Sequence, residues 1–181
     1  MAKRRGRRQI PRPTGPEVTS APQPPYTIRL TESAEAVYRS IHDLVQAANG
    51  RGETSTAHHT LLRMLDEVLD NIPKDPLNKK FALTGTLTNM FRMKKGRTRV
   101  CWIASSERRE VIVLFISDTP RKEGDAHDPY KIFAGLVMSG QFDGLFDRLG
   151  VKRPNRKLSN IKISANALLQ PASQLTSVWR H

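Results

Sequence analysis

Residues 111–116 read Val-Ile-Val-Leu-Phe-Ile, six apolar residues in a row. A run of this length, rich in β-branched side chains and bounded by turn signals, marks a strand with no solvent face. Such a strand is central and needs a neighbour on each edge, so the rest of the chain must build a sheet around it. The sequence leading into it, MFRMKKGRTRVCWIASSERREVIVLFISD, reads as a three-stranded antiparallel meander. Lys95-Gly96 supplies a tight turn and Ser105 to Arg109 a looser one.

Upstream the period changes. Tyr26, Ile28 and Leu30 alternate with Thr27, Arg29 and Thr31, which is strand spacing. Ala34, Val37, Tyr38, Ile41, Leu44, Val45 and Ala48 then recur on one helical face, and Asn49-Gly50 is expected to end that helix as a left-handed cap. After a polar loop at 50–55, a second helix carries Leu61, Leu62, Leu65, Val68, Leu69 and Ile72 until Pro73 stops it. Downstream of the meander, Asp128 is a good N-cap and Pro129 a good first helical residue. The helix they open carries Tyr130, Ile132, Phe133, Leu136, Val137 and Met138 and ends at Gly140, with a short helical turn expected in 141–149. The order predicts an α+β fold: a small twisted, antiparallel-rich sheet packed against a helical hairpin, plus a C-terminal helix.

Charge divides the chain further. The formal net charge is +13, yet residues 1–25 hold six basic residues and one acid, and residues 150–181 hold six basic residues and no acid. The excess sits in the ends, and the centre is close to neutral. The first 25 residues are rich in Arg and Pro and poor in large apolar side chains, so they bury too little surface to offset ordering entropy. The expected organisation is a disordered arm at 1–25, one domain at 26–149 and a basic, largely disordered tail at 150–181. Cations in this number meet phosphate readily. No apolar run is long enough to span a bilayer, none follows a basic start as in a signal peptide, and no amphipathic, Trp-anchored helix suits a membrane surface. With Cys101 alone there is no internal disulfide framework. A cytosolic protein that binds nucleic acid rather than membrane is expected.

The meander concentrates the candidate chemistry. Arg92, Lys94, Lys95, Arg97 and Arg99 fall within eight residues with no acid between them. Two-residue alternation gives Arg92 and Lys94 one face, and Arg97 and Arg99 one face opposite Val100. The helical hairpin takes one side of the sheet, so the other is expected to be a cationic floor of up to four charges. Like charges on adjacent strands repel, a cost tolerated for an anionic partner. Arg121 follows the buried strand, and Tyr130 opens the last helix, whose N-terminal end is positive. His42, His58 and His59 do not form a metal pair, because adjacent histidines point to different helical faces. Cys101 beside Trp102 reads as a packed residue, and Asp118, Asp125 and Asp128 as loop and cap residues.

In the order FRMKKG, RTRVCWI, SSERR, EVIVLFISD, TPRKEG and DPYKIFAGLVMSG, with a helical hairpin upstream, residues 26–140 resemble the RelE/ParE superfamily of toxins, and most closely its YhaV-type ribonucleases. The resemblance implies a RelE-like fold and a toxin that cleaves mRNA, bound by an antitoxin, with no cofactor and no metal. It places Arg92, Lys94, Arg99, Arg121 and Tyr130 at the positions with which the family cuts mRNA; Lys94, Arg99, Arg121 and Tyr130 are the candidate catalytic residues, and Arg92, with Lys95 and Arg97 of the same cationic cluster, the candidates for RNA binding. Arg99 and Arg121 would clamp the phosphate by forked hydrogen bonding, and Lys94 and Tyr130 would serve proton transfer or base stacking. Two other readings fit the same residues: a ParE-like poison of DNA gyrase without nuclease chemistry, and a degenerate RNA-binding domain whose basic tails do the binding.

Overall fold

The computed structural model describes residues 25–117 and 127–155. Arg121, Asp118, Asp125, the first 24 residues and residues 156–181 lie outside the described part. Within it, strand β1 (Thr27–Leu30) leads into α1 (Glu32–Gly50) and α2 (Ala57–Asn71). The meander follows as β2 (Phe91–Lys95), β3 (Thr98–Ser105) and β4 (Glu110–Ser117). Helices α3 (Pro129–Met138) and α4 (Asp143–Leu149) close the described fold.

The sheet order is β1-β4-β3-β2, with β1 parallel to β4 and the other pairs antiparallel. The apolar run therefore sits between two strands, as its composition requires. Its buried residues divide between two cores. On one side Leu61, Leu65, Val68 and Ile72 of the hairpin region pack on Val100, Trp102, Val111 and Val113. On the other, Phe133, Val137, Phe142, Phe146 and Leu149 pack on Cys101, Ile103, Ile112 and Leu114. The protein is thus three layers deep, with α1 and α2 on one face of the sheet and α3 and α4 on the other. The expected open cationic floor is corrected here. The second face is mostly apolar core, because Cys101, Ile103, Ile112 and Leu114 need covering as much as their neighbours on the first face do.

A register shift between Cys101 and Trp102 leaves Leu114 without a partner on β3. Two consecutive residues, Leu114 and Phe115, then belong to the second core, while Ile116 returns to the first. A bulge of this kind also tightens the local twist.

Local chemistry sets the helix ends. The Thr31 hydroxyl accepts from the Ala34 amide at 3.3 Å, capping α1. Thr56 caps α2, and His59 completes the box through its ring nitrogen. The other ring nitrogen of His59 lies 2.8 Å from Asn49 Oδ1, so one imidazole ties the start of α2 to the end of α1. The expected left-handed cap at Gly50 is not observed: Gly50 is the last residue of α1, and Gly52 has the positive φ of 77°.

The stretch 72–90, where the sequence carries no clear period, is a chain of short 3-10 turns at Ile72–Lys74, Lys79–Phe81 and Gly85–Leu87. Trp102 pins it. The indole Nε1 donates to the Pro76 carbonyl at 2.9 Å, and the rings of Phe81 and Phe91 pack against the indole at 5.6 and 6.0 Å. At the other end, the packed body continues past the expected boundary at 149. Val151 joins the second core, and Arg153 pairs with Asp143 and Asp147.

Candidate active site

Antiparallel pairing decides which cations meet. Arg92 lies opposite Cys101 and Lys94 opposite Arg99. Paired residues share a face, and Cys101 belongs to the second core, so Arg92, Lys94 and Arg99 all point to the α3 side. Phe91 and Met93 point to the hairpin. The patch lies at the β2 end of the sheet, where the first turn of α3 is its neighbour.

Asp128 sets that first turn. It is 4% exposed, and its carboxylate accepts from the Tyr130 amide at 2.8 Å. Pro129 occupies the first helical position, where its missing N–H costs nothing. Tyr130 is thereby held half-buried against the two arginines. Arg92 Nη1 donates to the Tyr130 hydroxyl at 2.5 Å, and its guanidinium carbon lies 5.0 Å from the ring centroid. The Arg99 guanidinium carbon lies 5.9 Å from the same centroid. Cation–π contact of this kind stabilises by roughly 0.5–2 kcal/mol, more where water is excluded.

The structure therefore brings together four of the residues singled out from sequence: Arg92, Lys94, Arg99 and Tyr130. They are not equivalent. Arg92 and Lys94 are exposed, whereas Arg99 is 5% exposed. The expectation that Arg99 stands on an open surface is corrected: it is buried, beside the Tyr130 ring of α3. Its Nη1 donates to the Arg97 carbonyl at 2.5 Å, folding the guanidinium back on the β2–β3 turn.

Two other expected members stand apart. Arg97 lies in the turn before Thr98 rather than on the strand, and is exposed. Lys95 points to the opposite face and pairs with Glu67 of α2. Alternation alone separates Lys95 from Lys94; the pairing with α2 could not be read from the strand.

Cys101 lies beneath the patch and is fully buried. Burial pushes its thiol up to about 12, against the opposing pull of Arg92 and Arg99. A thiol so held is not a nucleophile near neutral pH. Among the described residues no group of three or more His, Cys, Asp or Glu side chains is placed to hold a metal ion. Among them, too, no helix is long and apolar enough to cross a membrane.

The sequence comparison gives the class of protein to which this site belongs. Residues 27–152 match the YhaV family, described as toxins with endonuclease activity that form part of toxin–antitoxin systems. The match covers most of the chain, and the protein belongs to that family. Two solved structures are more distantly similar. A chain of the RelBE2 toxin–antitoxin complex from Mycobacterium tuberculosis shares 21% identity over 51% of this chain and 96% of that one, with a TM-score of 0.36. The isolated RelE toxin of E. coli shares 16% identity over 63% of this chain and 97% of its own, with a TM-score of 0.40. No curated protein sequence matches.

Proposed function

We propose that this member of the family is a metal-independent endoribonuclease that cuts mRNA in the cytoplasm and is neutralised by a cognate antitoxin. The observation that carries this reading is the patch itself: two exposed cations, Arg92 and Lys94, beside a tyrosine whose hydroxyl Arg92 engages. RNA brings its own nucleophile. The ribose 2′-oxygen attacks the adjacent phosphorus, the bond from phosphorus to the 5′-oxygen breaks, and a 2′,3′-cyclic phosphate and a 5′-hydroxyl result. One proton leaves the 2′-hydroxyl and one reaches the departing 5′-oxygen. The protein has to stabilise added negative charge on phosphorus and move those protons.

Arg92 and Lys94 suit the first task, since cations held beside the phosphate stabilise the charge that develops on it. Lys94 and Tyr130 are the groups at hand for the second, and the Tyr130 ring also offers a stacking surface for an unpaired base. This chemistry needs no redox partner and no second nucleophile. Arg121 belongs to this set by resemblance alone. The antitoxin follows from the family, whose members belong to toxin–antitoxin systems.

The test is cleavage of single-stranded RNA, and of DNA of the same sequence, in excess EDTA, with and without ribosomes. RNA should be cut to 2′,3′-cyclic or 3′-phosphate ends and DNA left intact. A requirement for added divalent ion in the ribosome-free assay, or equal cleavage of DNA, would overturn the reading.

A further inference from the structure

Arg99 presents a contradiction in the site. It belongs to the cationic set, yet it is 5% exposed, while its cross-strand neighbour Lys94 is exposed. A guanidinium buried this far has given up its water and is repaid by protein groups. Two of those groups are identified. One is the Arg97 carbonyl, 2.5 Å from Nη1, in the turn that joins β2 to β3. The other is the ring of Tyr130, 5.9 Å from the guanidinium carbon. Arg92 approaches the same ring from the exposed side and holds its hydroxyl. For Arg99 to clamp a phosphate, the phosphodiester would have to follow it below the surface, or Arg99 would have to leave both partners.

We propose that Arg99 is a positioning residue: it supports the Tyr130 ring from below and fixes the β2–β3 turn, while contact with the RNA phosphate falls to Arg92 and Lys94. The proposal rests on the nuclease reading for its kinetic consequences, but not for its structural ones. Asp128 fixes the Tyr130 backbone and Arg99 fixes its ring, so the phenol has a defined position before RNA arrives. Preorganisation of that kind acts on the rate of the chemical step more than on substrate affinity.

A double-mutant cycle on the full-length protein separates this role from direct phosphate contact. Single-turnover cleavage of one RNA oligonucleotide is measured for wild type, Arg99→Gln, Tyr130→Ala and the double variant. Acting through Tyr130, Arg99→Gln should slow the wild type by roughly tenfold or more and the Tyr130→Ala protein by less than about twofold, the non-additivity of residues in contact. The salt dependence of RNA binding should be unchanged in Arg99→Gln, and shallower in Arg92→Gln by about 0.7 in slope, the contribution of one phosphate on a single strand. A full cost of Arg99→Gln in both backgrounds, or a slope reduced as in Arg92→Gln, would overturn the proposal. Arg99→Lys replaces Arg99→Gln if the latter does not fold. If the wild type cuts no RNA, the nuclease reading fails on its own. The positioning role is then read from the Tyr130 ring resonances in a tyrosine-labelled spectrum, which must move in Arg99→Gln and would refute the role by staying in place.

Discussion

Arg92 and Arg99 carry the same side chain, lean on the same tyrosine, and stand in opposite environments. The difference predicts opposite responses to truncation. Arg99→Ala removes a buried guanidinium, its bond to the Arg97 carbonyl and its packing on Tyr130. It should lower stability by roughly 1–3 kcal/mol, the range for losing a buried polar interaction. Arg92→Ala, at an exposed position, should stay within about 0.5 kcal/mol. Denaturant midpoints of the two variants check this, and equal midpoints would contradict it. The spacing of Arg92, Lys94 and Arg99 was legible in the sequence, because alternation in a strand depends on nothing else. The burial of Arg99 was not legible, since it depends on which helices cover the second face. Nor was the departure of Lys95, whose partner Glu67 lies 28 residues upstream on α2.

At the scale of the element, α3 is the part of the site that its own sequence explains most fully. Asp128 and Pro129 start it where those residue types start helices, and the carboxylate-to-amide bond at Tyr130 fixes the orientation of the first turn. Asp128→Ala should cost about 1 kcal/mol in stability, as loss of a cap does. It should also slow cleavage by roughly ten- to hundredfold by letting Tyr130 drift. Asp128→Asn, which keeps an accepting oxygen, should recover most of both. Melting and cleavage of the two variants, compared side by side, check this; an inactive Asn variant that melts normally would show a role for the charge itself. The periodic elements β2, β3, β4, α1, α2 and α3 were legible from hydrophobic spacing. The turns across 72–90 were not, because three-residue turns carry no period and are held by distant parts of the chain, Trp102 at Pro76 and Phe81 and the second core at Leu87 and Met90. The bulge at Leu114 was hidden for a related reason: a run apolar at every position looks the same in either register.

At the scale of the whole molecule, the sheet is buried on both faces and the excess charge lies toward the ends of the chain. The near-neutral centre supplies a fold and a small cationic patch, while residues 1–25 carry six of the basic side chains. If the arm binds RNA through its phosphates, a protein beginning at Tyr26 should melt as the full chain does, because β1 starts at Thr27. It should bind RNA with a shallower salt dependence, by about 0.7 in slope for each phosphate that the arm had neutralised. An unchanged slope would leave the arm without a part in binding, and loss of the thermal transition would make it structural. The α+β class and the hairpin were legible from the order of periods. The helix after Pro129 and the short turn in 141–149 were foreseen as elements, but not as a third layer, because their own spacing does not say which face of the sheet they cover.

If the RNA supplies the nucleophile and the patch of Arg92, Lys94 and Tyr130 assists it, the 2′-oxygen beside the scissile phosphate is indispensable. The substrate itself is changed, by removal of one oxygen atom. An RNA oligonucleotide whose cleavage position has been mapped is remade with a single 2′-deoxynucleotide on the 5′ side of the scissile phosphate, and both are incubated with the protein in EDTA. Cleavage at that position should disappear while binding is retained. Cleavage of the deoxy-substituted strand at the same place and rate would contradict that role of the RNA.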